Sequence, residues 1–224
     1  MNTINEFFGS IYRWMAIGVL FTAIISYFTI TSGTLAYLSV NPVIFYILIG
    51  VHLVLYLGIQ FMQNKLSVPA AFALFFLYAG LTGVILSSIL AFFFATNPTI
   101  LYGVFGVTIL LFAGLSILGR TMKKDITGWG VFLGASTFGI VLLSILNVAF
   151  FKAPLFALFI AFAVLIVFAA LTVYDGQYYT RLYPTLETEE QKRKASIIAA
   201  LHMYVQFIAM FQSLLRIVGF FNNN

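Results

Sequence analysis

Apolar residues in this chain fall in long unbroken runs rather than in the three-four rhythm of a soluble amphipathic helix, and short polar or proline-bearing links separate the runs. The first run covers residues 15–31. A chargeless link from Ser32 to Asn41 leads into the second, 42–62, which closes on Gln63, Asn64 and Lys65. Pro69 opens the third, 69–95, and a link of only residues 96–99 forces an antiparallel hairpin into the fourth, 100–119. A charged stretch at 120–125 precedes the fifth run, 129–150, which Lys152 and Pro154 interrupt. The sixth, 155–182, stops before Pro184. Thr188 and Gln191 then have the spacing of a capping box, so the last helix starts in a charged loop and its apolar part covers 195–220.

A membrane helix needs about 20 apolar residues to cross a hydrocarbon layer of roughly 30 Å. Seven runs of that size predict an all-α polytopic membrane protein, a single domain over residues 1–224. The first run resembles a signal peptide in position only: no convincing small-x-small cleavage site follows it, and further spans come behind, so it is read as an uncleaved span.

Composition agrees. The 224 residues are 62% hydrophobic and 8% charged, with a mean hydropathy of +1.08, whereas a soluble domain carries roughly a quarter charged residues. Cysteine is absent, which excludes disulfides, thiol nucleophiles and thiolate metal sites. The distribution of the bases says more than the net charge of +5. With a cytoplasmic N-terminus, that side receives Arg13, Lys65, Arg120, Lys123, Lys124, Arg181, Lys192, Arg193 and Lys194, and the other side only Lys152 and Arg216. The asymmetry orients the chain N-terminus in and C-terminus out.

Few polar side chains lie inside the runs: His52, Asn147, Asp175, His202, Gln206 and Gln212. Asp175 is the one carboxylate among them. A charge at the centre of a lone membrane helix costs roughly 2.5–3.5 kcal/mol, so such a group faces a protein interior, a wet cavity or a partner. The alternative is a hydrated Asp175 near the headgroups, since Arg181 follows about 9 Å further along a helix. His202 and Gln206, four apart, share a helix face. No catalytic triad, zinc pair, phosphate loop or carboxylate pair can be assembled from this set, so neither an enzyme nor a cofactor or metal site is expected. No lysine lies inside the seventh run, which removes a retinal protein. Small residues recur at helical spacing in the third to fifth runs, as at Gly80 and Gly83, Gly103 and Gly106, and Gly130 and Gly134, and read as close-packing faces.

Several stretches, taken in order, resemble the Bax inhibitor-1 (transmembrane Bax inhibitor motif) family in its bacterial form. They are Tyr12 to Gly18, Ser67 to Ala71, Tyr78 to Gly83, Leu86 to Ser88, Lys123 to Asp125, Asn147, Tyr174 to Gln177, Leu201 to Ile208 and Ser213 to Arg216. The resemblance implies six helices around a central seventh, and a proton-sensitive leak of cations, notably calcium. It also implies an aspartate pair on the sixth and seventh spans that gates the path with a base at the end of the second. Asp175 matches the first aspartate. Gln206 stands at the second, and about Gln63 at the base, with Lys65 the nearest cation. Neighbouring carboxylates share protons, a coupling that an Asp–Gln pair lacks, so His202 becomes the candidate titrating partner. Two readings result: a calcium- or proton-sensitive leak with an altered gate, or a non-transporting regulator that binds and modulates a membrane-bound protease or other membrane proteins. Both place the chain in a lipid bilayer, the bacterial inner membrane, with no nucleic-acid partner.

Overall fold

The computed structural model describes residues 3–63 and 65–222; Asn2 and Asn224, whose sides of the membrane the charge argument assigns, lie outside the described residues. Among the described residues the regular structure is helical: α1 Ile4–Thr31, α2 Thr34–Val40, α3 Pro42–Met62, α4 Val68–Thr96, α5 Pro98–Thr121, α6 Trp129–Leu146, α7 Pro154–Leu182 and α8 Glu189–Asn222. Seven are long and apolar enough to cross a membrane, α6 being counted together with the wide turn Asn147–Phe151 that continues it; the short α2 is the exception.

Local chemistry explains the boundaries. Thr3 caps α1 by accepting the Glu6 N–H at 3.2 Å, so the helix begins eleven residues before the apolar run and its early turns bury Phe7, Phe8 and Ile11. Apolarity alone marks the part of a helix that can sit in lipid, not where the helix starts. The link after α1 is likewise more ordered than a chargeless connection suggests. Gly33 takes the left-handed conformation, φ +79°, and the chain turns directly into the seven-residue α2.

Ser67 caps α4 with a proline in its first turn. At the end of α6, Lys152 adopts φ +47° and donates its N–H to the Asn147 carbonyl at 2.7 Å, while Asn147 Oδ1 accepts from the Ala153 N–H at 3.2 Å. Asn147 thus terminates its helix. The capping box on α8 forms as its spacing predicts: Thr188 Oγ1 accepts from the Gln191 N–H and Gln191 Oε1 from the Thr188 N–H, both at 3.1 Å.

The helices group into two compact units. One comprises the described residues of Met1–Pro98 with Leu186–Tyr204, the other those of Thr99–Thr185 with Val205–Asn224, so α8 contributes its first half to one and its second half to the other. In the first unit α1 lies along α4. Gly83 lets the α1 backbone approach, since a Cβ there would lie 2.8 Å from the Thr22 carbonyl oxygen, and Ser26 donates to the Gly83 carbonyl at 2.7 Å. In the second unit Gly119 of α5 meets α7 so closely that a Cβ would overlap the Val173 carbonyl oxygen, and Gly176 answers it across the crossing, with Gly119 Cα 3.2 Å from where its own Cβ would stand. Gly130 accommodates the Tyr174 hydroxyl. By contrast, a Cβ at Gly103, Gly106 or Gly134 meets nothing within 4 Å among the described residues. Of the expected small-residue faces, those at Gly83 and Gly130 therefore carry close packing, and the Gly119–Gly176 crossing has no glycine repeat to announce it.

Candidate functional site

Asp175 lies seven residues before the end of α7, about 10 Å along the helix axis. It is 7% exposed and buried within the second unit. The Gly119–Gly176 crossing brings the backbone of α5 against this turn. From α8, Gln206, 3% exposed, donates its Nε2–H to Asp175 Oδ2. The carboxylate therefore meets the amide of α8 that the family resemblance sets opposite it. With the nitrogen end committed to Asp175, Gln206 Oε1 is left buried with no hydrogen-bond partner among the described residues. An unmet buried carbonyl costs about 1–3 kcal/mol. It offers an acceptor beside a carboxylate.

His202 belongs to the first unit, where its Nε2 lies 3.0 Å from Gln60 Oε1. Because an amide oxygen only accepts, Nε2 carries the proton. Gln60, one turn before Gln63, thus bonds α3 to α8 within the first unit. Gln63 forms the C-cap of α3 and Lys65 is exposed in the following turn.

The second histidine has a comparable bond. His52 Nε2 lies 2.8 Å from Thr82 Oγ1, its ring stacked on Tyr78 at 4.2 Å. The Thr82 hydroxyl donates to the Tyr78 carbonyl, so it accepts from His52. On the other side of Thr82 the buried Tyr204 hydroxyl lies 2.6 Å from Thr22 Oγ1, and Thr22 donates to the Ala79 carbonyl at 3.0 Å. Tyr204 therefore supplies the proton between them. This satisfied chain ties α1, α3, α4 and α8 within the first unit. Nothing in the apolar pattern flags it, since Tyr204 reads as one more aromatic and Thr22 and Thr82 as ordinary membrane-helix residues.

A third polar cluster lies two residues beyond Asp175. Gln177, 3% exposed, accepts from the Ile126 N–H at 2.9 Å and donates to the carbonyls of Lys124 at 2.7 Å and Met122 at 3.3 Å. The amide is used up in clasping the α5–α6 loop to α7. Arg181 Nη1 reinforces it with Asp125 Oδ2 at 2.6 Å, and Asp125 Oδ1 accepts the N–H and hydroxyl of Thr127. The Thr127 hydroxyl first, then Arg181, hold the Asp125 carboxyl well below the usual carboxylate range. Arg181 is thus engaged with the loop. Both halves of the clasp, Lys123 to Asp125 and Tyr174 to Gln177, stand among the stretches that carry the family resemblance.

Among the described residues no group of three or more His, Asp or Glu could hold a metal ion. Relatives narrow the assignment. The chain is 34% identical to the inner membrane protein YbhL of Escherichia coli over 96% of its own length and 92% of that protein's. It is equally similar, at 34% and the same coverages, to an uncharacterized protein of Borreliella burgdorferi, and 33% identical to one of Deinococcus radiodurans over 97% of this chain and 91% of that one. The model of the family described as inhibitor of apoptosis-promoting Bax1 matches residues 4–223. A match over that extent, on a seven-span helical chain with the acid of the sixth span paired to the seventh, has one reading: the chain belongs to the Bax inhibitor-1 family.

Proposed function

We propose that the protein is a cation leak of the Bax inhibitor-1 type, working as a single seven-span domain, with calcium and protons as its permeant ions and an altered gate at Asp175 and Gln206. The observation that carries this reading is the unmet Gln206 Oε1 beside the Asp175 carboxylate. A pair built only to lock two helices together would use both ends of the amide, and a buried oxygen without a donor is a place where a passing cation or water is stabilised. Asp175 supplies the charge, and Gln206 a neutral oxygen ligand and a donor that holds the carboxylate in place. Within the first unit, His202 donates to Gln60 of α3, and Gln63 and Lys65 at the end of that helix are the proposed partners at its cytoplasmic end.

The hydrogen bond between Gln206 and Asp175 favours a second reading, a closed bundle that regulates a membrane-bound protease without conducting. Purified protein in liposomes loaded separately with calcium and proton dyes distinguishes the two. The leak reading expects cation flux that falls at least about tenfold in Asp175→Asn while the variant keeps its melting behaviour. Flux indistinguishable from empty liposomes, with folded protein recovered from them, overturns it.

A further inference from the structure

The clasp on the α5–α6 loop is built more firmly than a connection between two spans requires. A buried amide contributes its donor and acceptor groups to three backbone atoms of the loop, and an ion pair and two Asp125–Thr127 bonds close the turn. What the ordered loop displays is basic: Lys123 and Lys124 project exposed from it, Arg120 ends α5 beside it, and Asp125 is already matched by Arg181. Aromatic rings accompany the same end of the unit. Trp129 starts α6 and is 53% exposed, Tyr178 is 40% exposed, and Tyr174 stacks on Tyr178 with centroids 6.1 Å apart. Exposed Trp and Tyr at helix ends mark the depth of lipid headgroups. The ordered loop therefore presents two exposed lysines, Lys123 and Lys124, at the level where phosphates lie.

We propose that this loop is a preorganised site for the headgroup of an anionic phospholipid, with Lys123 and Lys124 on the phosphate, Trp129 at the glycerol level, and Gln177 as the residue that positions the lysines. Each base near an anionic surface favours binding by about 1 kcal/mol, or roughly fivefold. A flexible loop spends part of that gain on ordering, and the Gln177 clasp removes that cost in advance. The site does not depend on conduction.

Trp129 provides the reporter. A Trp14→Phe variant of the full chain, reconstituted in phosphatidylcholine vesicles with increasing brominated phosphatidylglycerol, reads by quenching which lipid sits against Trp129. The expected result is a preference for phosphatidylglycerol of about fivefold or more at low salt, reduced several-fold at high salt and lost when Lys123→Gln and Lys124→Gln are added. These lysines are exposed, so their replacement leaves folding intact. Gln177→Leu, which keeps every base, should lose most of the preference. Equal quenching by brominated phosphatidylcholine and phosphatidylglycerol overturns the proposal, as does a lysine variant with unchanged preference. Full preference in a folded Gln177→Leu variant overturns the positioning role. Inorganic phosphate that abolishes the preference at matched ionic strength would assign the site to free phosphate, and displacement of the lipid by polyglutamate would assign it to an acidic protein; either result overturns the lipid assignment.

Discussion

Asp175 and Gln206 show how little a residue's type says about its role until its partner is known. An aspartate 7% exposed in an apolar helix demands compensation, and here one amide hydrogen supplies part of it. Replacing that amide by a second acid is the sharpest perturbation available. Gln206→Asp places two carboxylates where one now accepts a hydrogen bond, so the two compete for a proton. The expected outcome is a pH-dependent step in cation flux between about pH 5 and 8, steeper than in the natural protein, measured in the same liposomes. Superimposable profiles would show that positions 175 and 206 are uncoupled. Asp125 behaves differently. Its carboxyl is held below the usual range by Thr127 and Arg181, so what it contributes to the clasp is fully present above the ordinary carboxylate pKa and is lost only as pH falls through the depressed value. Asp125→Asn should therefore change flux or stability equally at pH 5 and pH 8. A difference between the two pH values, read from melting curves and flux, would mean that the loop titrates in the working range.

At the scale of elements, close approach and termini decide what the apolar runs leave open. Gly119 and Gly176 let α5 and α7 cross with backbone against backbone, next to the turn that bears Asp175. A methyl group at position 119 meets the Val173 carbonyl rather than a movable side chain. Gly119→Ala should destabilise the protein by about 1–3 kcal/mol, the range for overpacking a fitted core, and should displace Asp175. Gly103→Ala, where nothing lies within 4 Å, should be neutral within about 0.5 kcal/mol. Chemical denaturation of the detergent-solubilised protein would compare the two, and equal effects would refute the crossing as a tight constraint. On α8 the Thr188 cap satisfies an N–H that the helix cannot pair, so Thr188→Ala should cost about 1 kcal/mol in the same assay.

For the molecule as a whole, the nine-to-two division of bases expects the loop between α7 and α8 on the cytoplasmic side and Lys152 outside. Because the natural chain has no cysteine, single cysteines at positions 190 and 152 can be labelled from either face, and external labelling at 190 would reverse the orientation. Seven spans, the α8 capping box and the singular character of Asp175 were legible in the sequence because each depends on neighbours within one or two helical turns: apolar length for lipid, a side chain reaching three residues along for a cap, one charge among apolar positions. The start of α1 and the helicity of α2 were not, since a cap and a left-handed glycine set them where hydrophobicity is silent. Neither were Gln60 as the partner of His202, the Tyr204–Thr22 bond or the Gln177 clasp, which join residues 142, 182 and about 50 positions apart. One apolar stretch resembles another in composition, so which helix a polar side chain meets is set by the packing of small and large residues at each crossing. The sequence by itself determined that this chain crosses a membrane and which acid has to be compensated there. The tertiary structure decided that a glutamine does the compensating, because only folding brings α7 and α8 together and turns their polar positions toward each other.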